Sequence, residues 1–344
     1  MARAFPAAAR YCLWDDTGGA TVGPATESWL ARTPLREHKG LALPAMALTW
    51  RRVAAMKQAD WALVSSHAFA HHVSHPSVSI PKFVYVHSPA RYLWASEHDE
   101  RAARVPDAVV NYLKRLDARR ARETTAHIAN SSYVRERIGR SWGLEADVVY
   151  PPVRIRELQS FDLDEQLSAV DREVLAQLPQ DFILGASRMV PYKQLDTVIG
   201  VGEMLSTPVV IAGDGPDRER LQARASAATV PTHVVRNPSD NLLLALYTRA
   251  LALVFPPVED FGIMPVEAMA LGTPVMARAV GGSLETVIDG VSGAFVDFSS
   301  ASDVRSQFER VVSLDREAVA QSAERFSSER FVDEIRTFVA SRLA

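Results

Sequence analysis

Two carboxylates eight positions apart, Glu259 and Glu267, lie in the run V-F-P-P-V-E-D-F-G-I-M-P-V-E-A-M-A-L-G-T-P-V from Val254 to Val275. They flank a turn that opens a helix. Acceptors so placed can hold hydroxyls at either end of a phosphate-bridged sugar, and the helix start between them favours an anion. Gly262 leaves room for a ligand against exposed N–H groups. A solvated helix start carries either glutamate equally well, so the whole block, rather than one residue, carries the functional reading.

Two cations offer complementary chemistry. Arg188 ends an apolar strand pattern and Lys193 leads into the next helix, at the strand end where an α/β crevice opens. A forked guanidinium and a compact ammonium suit a diphosphate, although surface exposure is the usual fate of both residue types. Val209–Pro216, V-V-I-A-G-D-G-P, is a strand running into a Gly-rich turn. It is either a plain βα connection or a backbone that Gly213 and Gly215 open to a ligand. Val234-Val235-Arg236-Asn237 follows the next strand, and Gly281-Gly282 with Glu285 form a second Gly-rich helix start.

His87 ends the apolar run beginning at Phe83, with Arg91 and Trp94 just beyond. Aromatic and polar groups at a strand mouth suit carbohydrate, and a strand-end histidine is also a common structural residue. His67, His71, His72 and His75 invite a metal reading, but no adjoining Glu or Cys completes a zinc motif, so no metal site is expected. The basic stretch Lys114 to Arg122 fits a solvated, salt-bridged helix face, or contact with anionic lipid or a lipid-linked acceptor.

The elements that must position these groups alternate along the chain. Strands are expected over 10–14, 62–66, 83–87, 127–130 and 147–150, then 182–187, 209–212, 233–235, 251–255, 275–277 and 294–296. Helices are expected over 106–124, 132–141, 193–205, 217–227, 240–250 and 327–343. This alternation predicts parallel α/β architecture. Tyr150-Pro151-Pro152-Val153 is a rigid, extended break. The expected organisation is therefore an N-terminal Rossmann-like domain over 1–150, a linker over 151–178, a second Rossmann-like domain over 179–326, and a final helix from 327 to 344.

Length and composition agree. The 344 residues are 47% hydrophobic and 23% charged, with a net charge of -3. That is enough chain for two cores, and it carries no basic footprint for nucleic acid. The single cysteine, Cys12, has no partner for an internal disulfide, which fits a reducing compartment. No apolar run reaches spanning length and the N-terminus lacks a secretory apolar region. A soluble, cytoplasmic protein is expected, with room for peripheral contact with the inner membrane surface.

The block around Glu259 and Glu267 resembles the signature of retaining glycosyltransferases of the GT-B fold, sequence family 4 (glycosyl transferases group 1). The R-x-x-x-x-K pair, the G-D-G-P turn and the G-G-x-x-E segment follow that family's order. H-S-P-x-R-Y-x-W at His87, with D-W-A-L-V-S-S-H and A-N-S-S-Y-V, is similar to an O-antigen mannosyltransferase branch that uses GDP-mannose. The resemblance implies two facing Rossmann-like domains with a cleft between them, the last helix crossing back onto the first. It implies transfer of a hexose, mannose above all, from a GDP- or UDP-sugar to a glycan or lipid-linked acceptor, with no cofactor and no metal. Arg188 and Lys193 would stabilise the departing diphosphate, while Glu259 and His87 face the donor sugar. Glu267 would hold the ribose. Backbone groups at Phe261, Gly262 and Ile263 would touch hydroxyls or phosphate, and Gly213, Gly215 and Asn237 would line the nucleotide. Ser66, His67, Asn130 and Ser131 would line the first domain's side. Relatives open with a strand, a Gly-rich loop and a helix ahead of the region matched by Ala4-Phe5-Pro6. By ordinary element lengths the resemblance implies a first unit lacking about 20–25 residues here. A non-catalytic sugar-nucleotide-binding subunit or inactive homologue is the alternative.

Overall fold

The computed structural model describes residues 1–20, 23–94 and 107–343, and within these residues short runs, most of them apolar, form twelve strands. They divide between two units, Met1–Tyr150 with Phe331–Ala344, and Pro151–Arg330.

In the first unit, β1 (Tyr11–Cys12) and β2 (Thr26–Glu27) pair as a small ribbon. The sheet proper contains β3 (Ala62–His67), β4 (Lys82–Ser88), β5 (Ala126–Ala129) and β6 (Asp147–Val148), all parallel and in that order. The middle of strand β4, Phe83 to Val86, is apolar because both its faces are covered. Val84 and Val86 point to one side with Ile138 and Trp142. Phe83 and Tyr85 point to the other, against Phe331, Ile335 and Phe338 of the last helix, Ser328–Leu343.

The second unit holds β7 (Ile183–Ala186), β8 (Val209–Gly213), β9 (Thr232–Arg236), β10 (Ala252–Phe255), β11 (Val275–Ala277) and β12 (Gly293–Phe295). They form one parallel sheet in the order β12-β11-β10-β7-β8-β9. The first strand of this unit lies at the centre, and the winding reverses between β7 and β10. In doubly wound sheets ligands gather at that switch point, outside the carboxyl ends of the strands.

Several elements differ from the sequence reading. The stretch expected as a linker, 151–178, forms three short helices, Ile155–Gln159, Leu163–Gln166 and Ala169–Ala176, within the second unit. The side chain of Ser168 caps the third, and Leu175 is buried. Its acidic composition reflects the solvated face of those helices. Lys193 falls in a single 3-10 turn, Pro191–Lys193, because Gln194 takes φ 52°. The helix proper is Leu195–Leu205. Helix Lys39–Trp50 carries no acidic residue in its first turn and shows no clear apolar stripe, which is why periodicity missed it. Pro106, the expected start of the helix seen at Asp107–Ala121, lies outside the described residues.

Candidate active site

Arg188 follows β7, and Glu259 follows β10. Those strands are neighbours, paired at Ala252↔Ile183 and Leu253↔Leu184. The switch point therefore brings together residues far apart in sequence. Lys193 Nζ lies 2.6 Å from Glu259 Oε1, and the two side chains are only 13% and 16% exposed. The Lys193 ammonium also stands 5.3 Å from the centre of the Tyr192 ring. Arg188 is exposed and donates to the Tyr192 hydroxyl at 3.3 Å. Two cations and one carboxylate thus gather where this fold places ligands.

The helix Ile263–Ala270 begins at Gly262, whose φ of 92° is the left-handed conformation glycine adopts without strain. As the N-cap, Gly262 has no side chain with which to cap the first-turn N–H groups, and helix starts of this kind suit an anion. Ile263 is exposed. The Phe261 side chain is not part of that surface: it is buried edge-on against Phe326, 5.3 Å away. Only its backbone remains for a ligand. Glu267 lies inside the helix, and burial pushes its carboxyl above the ordinary value, with Arg154 acting in the opposite direction. Tyr247 is fully buried, and the Glu267 charge adds to burial in raising its phenol. Its hydroxyl has no hydrogen-bond partner among the described residues.

The glycines of the two Gly-rich turns serve the fold more directly than expected. A Cβ on Gly213 would stand 1.9 Å from the Ser187 carbonyl oxygen, and one on Gly215 would stand 2.4 Å from that of Met189. On the side that a Cβ would take, the space is filled by the loop that carries Arg188. Met189 N–H donates to the Asp214 carbonyl at 2.8 Å and locks the two turns together. Asp214 also pairs with Arg236 at 3.0 Å, which holds its carboxyl below the usual range. Asn237 is exposed, at φ 43°, and its N–H donates to the Gly213 carbonyl at 2.9 Å. Gly281-Gly282 press against the Glu259 loop: Gly282 N–H donates to the Glu259 carbonyl at 2.8 Å. The sequence signal was only a glycine pair, which does not say what it packs on.

In the first unit, the His87 ring lies 2.8 Å from Ser65 Oγ through Nε2 and edge-on to Tyr85. Residues expected to line this side are mostly occupied. Ser131 Oγ caps the helix Ser132–Trp142, Asn130 is buried beside it, and Ser66 Oγ accepts from the His71 N–H. His67 is exposed. Trp94 donates its indole N–H to Asp117 at 2.8 Å. Of the four clustered histidines, only His71 and His72 converge, and they do so on Asp117, 45 residues beyond His72.

Residues 169–329 match the family model described as glycosyl transferases group 1. One curated relative is a GDP-mannose-dependent alpha-(1-6)-phosphatidylinositol monomannoside mannosyltransferase of Mycolicibacterium smegmatis. It is 33% identical over 182 residues, 48% of this chain and 47% of the relative. Another is a D-inositol 3-phosphate glycosyltransferase of Mycobacterium sp. strain JLS, 31% identical over 195 residues, 53% of this chain and 43% of the relative. The chain spans about half the length of the curated relatives it matches. Among solved structures, Anabaena HepE in complex with UDP superposes with a TM-score of 0.60 at 20% identity, covering 76% of this chain and 72% of that one. Sucrose-phosphate synthase of Thermosynechococcus elongatus gives 0.67 at 17% identity, covering 91% and 81%. At such identities the likeness is one of fold, the parallel α/β class of GT-B glycosyltransferases. The second unit, nearly all of which the family model spans, is thus similar to the glycosyl transferases group 1 family.

Proposed function

We propose that this chain is a retaining glycosyltransferase that moves a hexose from a nucleotide sugar to a glycan or lipid-linked acceptor, with GDP-mannose the favoured donor. The observation that carries the reading is the Lys193–Glu259 pair at the β7/β10 switch point, beside Arg188 and the open start of the Ile263–Ala270 helix. In this reading Arg188, Lys193 and the helix N–H groups neutralise the departing diphosphate, the main electrostatic demand of the transfer. Glu259 accepts from sugar hydroxyls and Glu267 from the ribose. The leaving phosphate takes the acceptor proton during front-side attack, so no protein base is required. His87 is assigned to the donor sugar on the resemblance at H-S-P-x-R-Y-x-W. The relative named for GDP-mannose supports the mannosyl donor, and the UDP-bound structural neighbour keeps UDP-hexoses in the test. No described helix is long and apolar enough to cross a membrane. A cytoplasmic enzyme meeting its acceptor at the inner membrane face fits this reading.

The test is calorimetry on the full chain with GDP, UDP, GDP-mannose and UDP-glucose, followed by donor hydrolysis and transfer assays. Selective GDP-mannose binding with turnover unaffected by added Mg²⁺ or Mn²⁺ is expected. A rate that requires Mn²⁺ would remove the diphosphate role from Arg188 and Lys193. Binding without turnover on any polyprenyl-linked or oligosaccharide acceptor would leave a sugar-nucleotide-binding subunit instead.

A further inference from the structure

The first unit contains a buried cluster that the proposed transfer does not use. His71 and His72 occupy a single 3-10 turn, Ala70–His72, and Asp117 lies on the helix Asp107–Ala121. The three are 0%, 3% and 1% exposed. His71 Nε2 and His72 Nε2 each stand 3.1 Å from Asp117 Oδ1, and all three atoms lie within 4.8 Å of one another.

A buried carboxylate could hold two imidazoles by hydrogen bonds alone, and distance does not separate that arrangement from a metal site. Two tetrahedral ligands with arms of about 2.0–2.1 Å stand about 3.3 Å apart, close to the observed separation. Direction does separate them. His72 Nε2 makes a hydrogen bond with Oδ1, whereas His71 Nε2 is buried and has none, despite its 3.1 Å approach. A fully buried ring nitrogen left unpaired is costly, and a cation between the three atoms would satisfy it. The surroundings already hold the donors in place. Asp117 Oδ2 accepts the indole N–H groups of Trp94 and Trp142, both at 2.8 Å, which leaves Oδ1 facing the histidines. His71 Nδ1 lies 3.3 Å from Ser66 Oγ, a partner that holds the ring in place. Outer partners of this kind are what a ligating His and carboxylate need.

We propose that His71 Nε2, His72 Nε2 and Asp117 Oδ1 form a structural site for a divalent cation of the Zn²⁺ class. Two imidazoles and one carboxylate oxygen suit that ion, with water as a fourth ligand. Burial makes the site structural rather than catalytic, since the ion ties the His71–His72 turn to the helix bearing Asp117.

The full chain, desalted after expression in zinc-supplemented medium, should retain about one equivalent of zinc by elemental analysis. Its Tm should fall on chelation and recover on adding Zn²⁺. Co²⁺ loaded into the apo chain should give the visible bands of a four-coordinate site. His71→Gln and His72→Gln, checked for native circular dichroism, should each lose those bands. A wild-type chain that holds no metal, takes up no Co²⁺ and melts at the same temperature with and without Zn²⁺ overturns the proposal. Unchanged Co²⁺ bands in the double His→Gln variant overturn it equally, since the ion would then sit elsewhere.

Discussion

Lys193 Nζ and Glu259 Oε1 stand 2.6 Å apart across 66 residues of sequence, so the cation assigned to the diphosphate and the carboxylate assigned to the sugar form one electrostatic unit. Each restrains the other. Lys193→Ala should lower turnover by roughly 10²–10³, as for loss of an oxyanion-type donor. Glu259→Ala should impair use of the sugar donor while freeing Lys193. An ammonium released from its carboxylate attracts an anion at least as well, so affinity for free GDP or UDP should hold or tighten. Calorimetry with the free nucleotides checks this. Much weaker nucleotide binding in Glu259→Ala would show that the carboxylate contacts the nucleotide itself.

Arg188 is less restrained, since its contact with the Tyr192 hydroxyl at 3.3 Å is exposed. Its value lies in the fork of donors rather than in charge alone. Arg188→Lys should therefore recover only part of the turnover lost in Arg188→Ala, and Tyr192→Phe should cost little. Steady-state rates at saturating donor separate the three variants. Full activity in Arg188→Lys would reduce the residue to a point charge.

Glu267 sets a pH dependence with a definite sign. Burial raises its folded pKa above the ordinary 4.5, so folding favours the protonated form. The associated stability is present at low pH and is lost as pH rises through the raised value. The proposed ribose contact would need the carboxylate, so in that reading donor affinity should weaken as pH falls, beginning at a higher pH than a surface glutamate would give. Glu267→Gln should flatten that profile and chiefly weaken donor binding, because the contact exists in ground and transition states alike. A profile unchanged in Glu267→Gln would assign the titration to another group.

The sequence announced the strands well because buried parallel strands read as apolar runs. The 275–277 run forms β11 as expected, and the V-V-I-A-G run forms β8. What it did not announce was adjacency. Nothing in the spacing of Arg188, Lys193 and Glu259 says that β7 and β10 are neighbours, yet that pairing alone brings Lys193 to Glu259. The family order of the motifs stood in for this information. Where no motif existed, as for Asp117, the residue read as one acid on a basic helix, although it is buried under two tryptophans and two histidines. The acidic stretch before Pro179 was misjudged for a related reason. Solvated short helices and linkers share a composition, and only the Ser168 cap and buried Leu175 distinguish them.

Gly282 tests whether the Glu259 loop must sit where it does. Its φ of −63° is open to any residue, so alanine there brings no backbone strain. What alanine brings is a Cβ 2.3 Å from both the Cα and the carbonyl oxygen of Phe261. These are backbone atoms that cannot turn aside as a side chain can. Gly282→Ala must therefore push the segment carrying Glu259 and Phe261, and strain the Gly282–Glu259 hydrogen bond at 2.8 Å. A misplacement on the order of 1 Å at a reacting centre costs about 10²-fold in rate, so a loss of that order in turnover is expected, with a lowered Tm. Gly200 supplies the control. It lies in the helix Leu195–Leu205 with nothing within 4 Å of an added Cβ, and Gly200→Ala should stabilise by roughly 0.5–1 kcal/mol and leave turnover intact. Thermal melts and donor turnover measured on both variants decide the matter. Wild-type kinetics in Gly282→Ala would mean that the Glu259 loop is positioned by contacts other than this glycine.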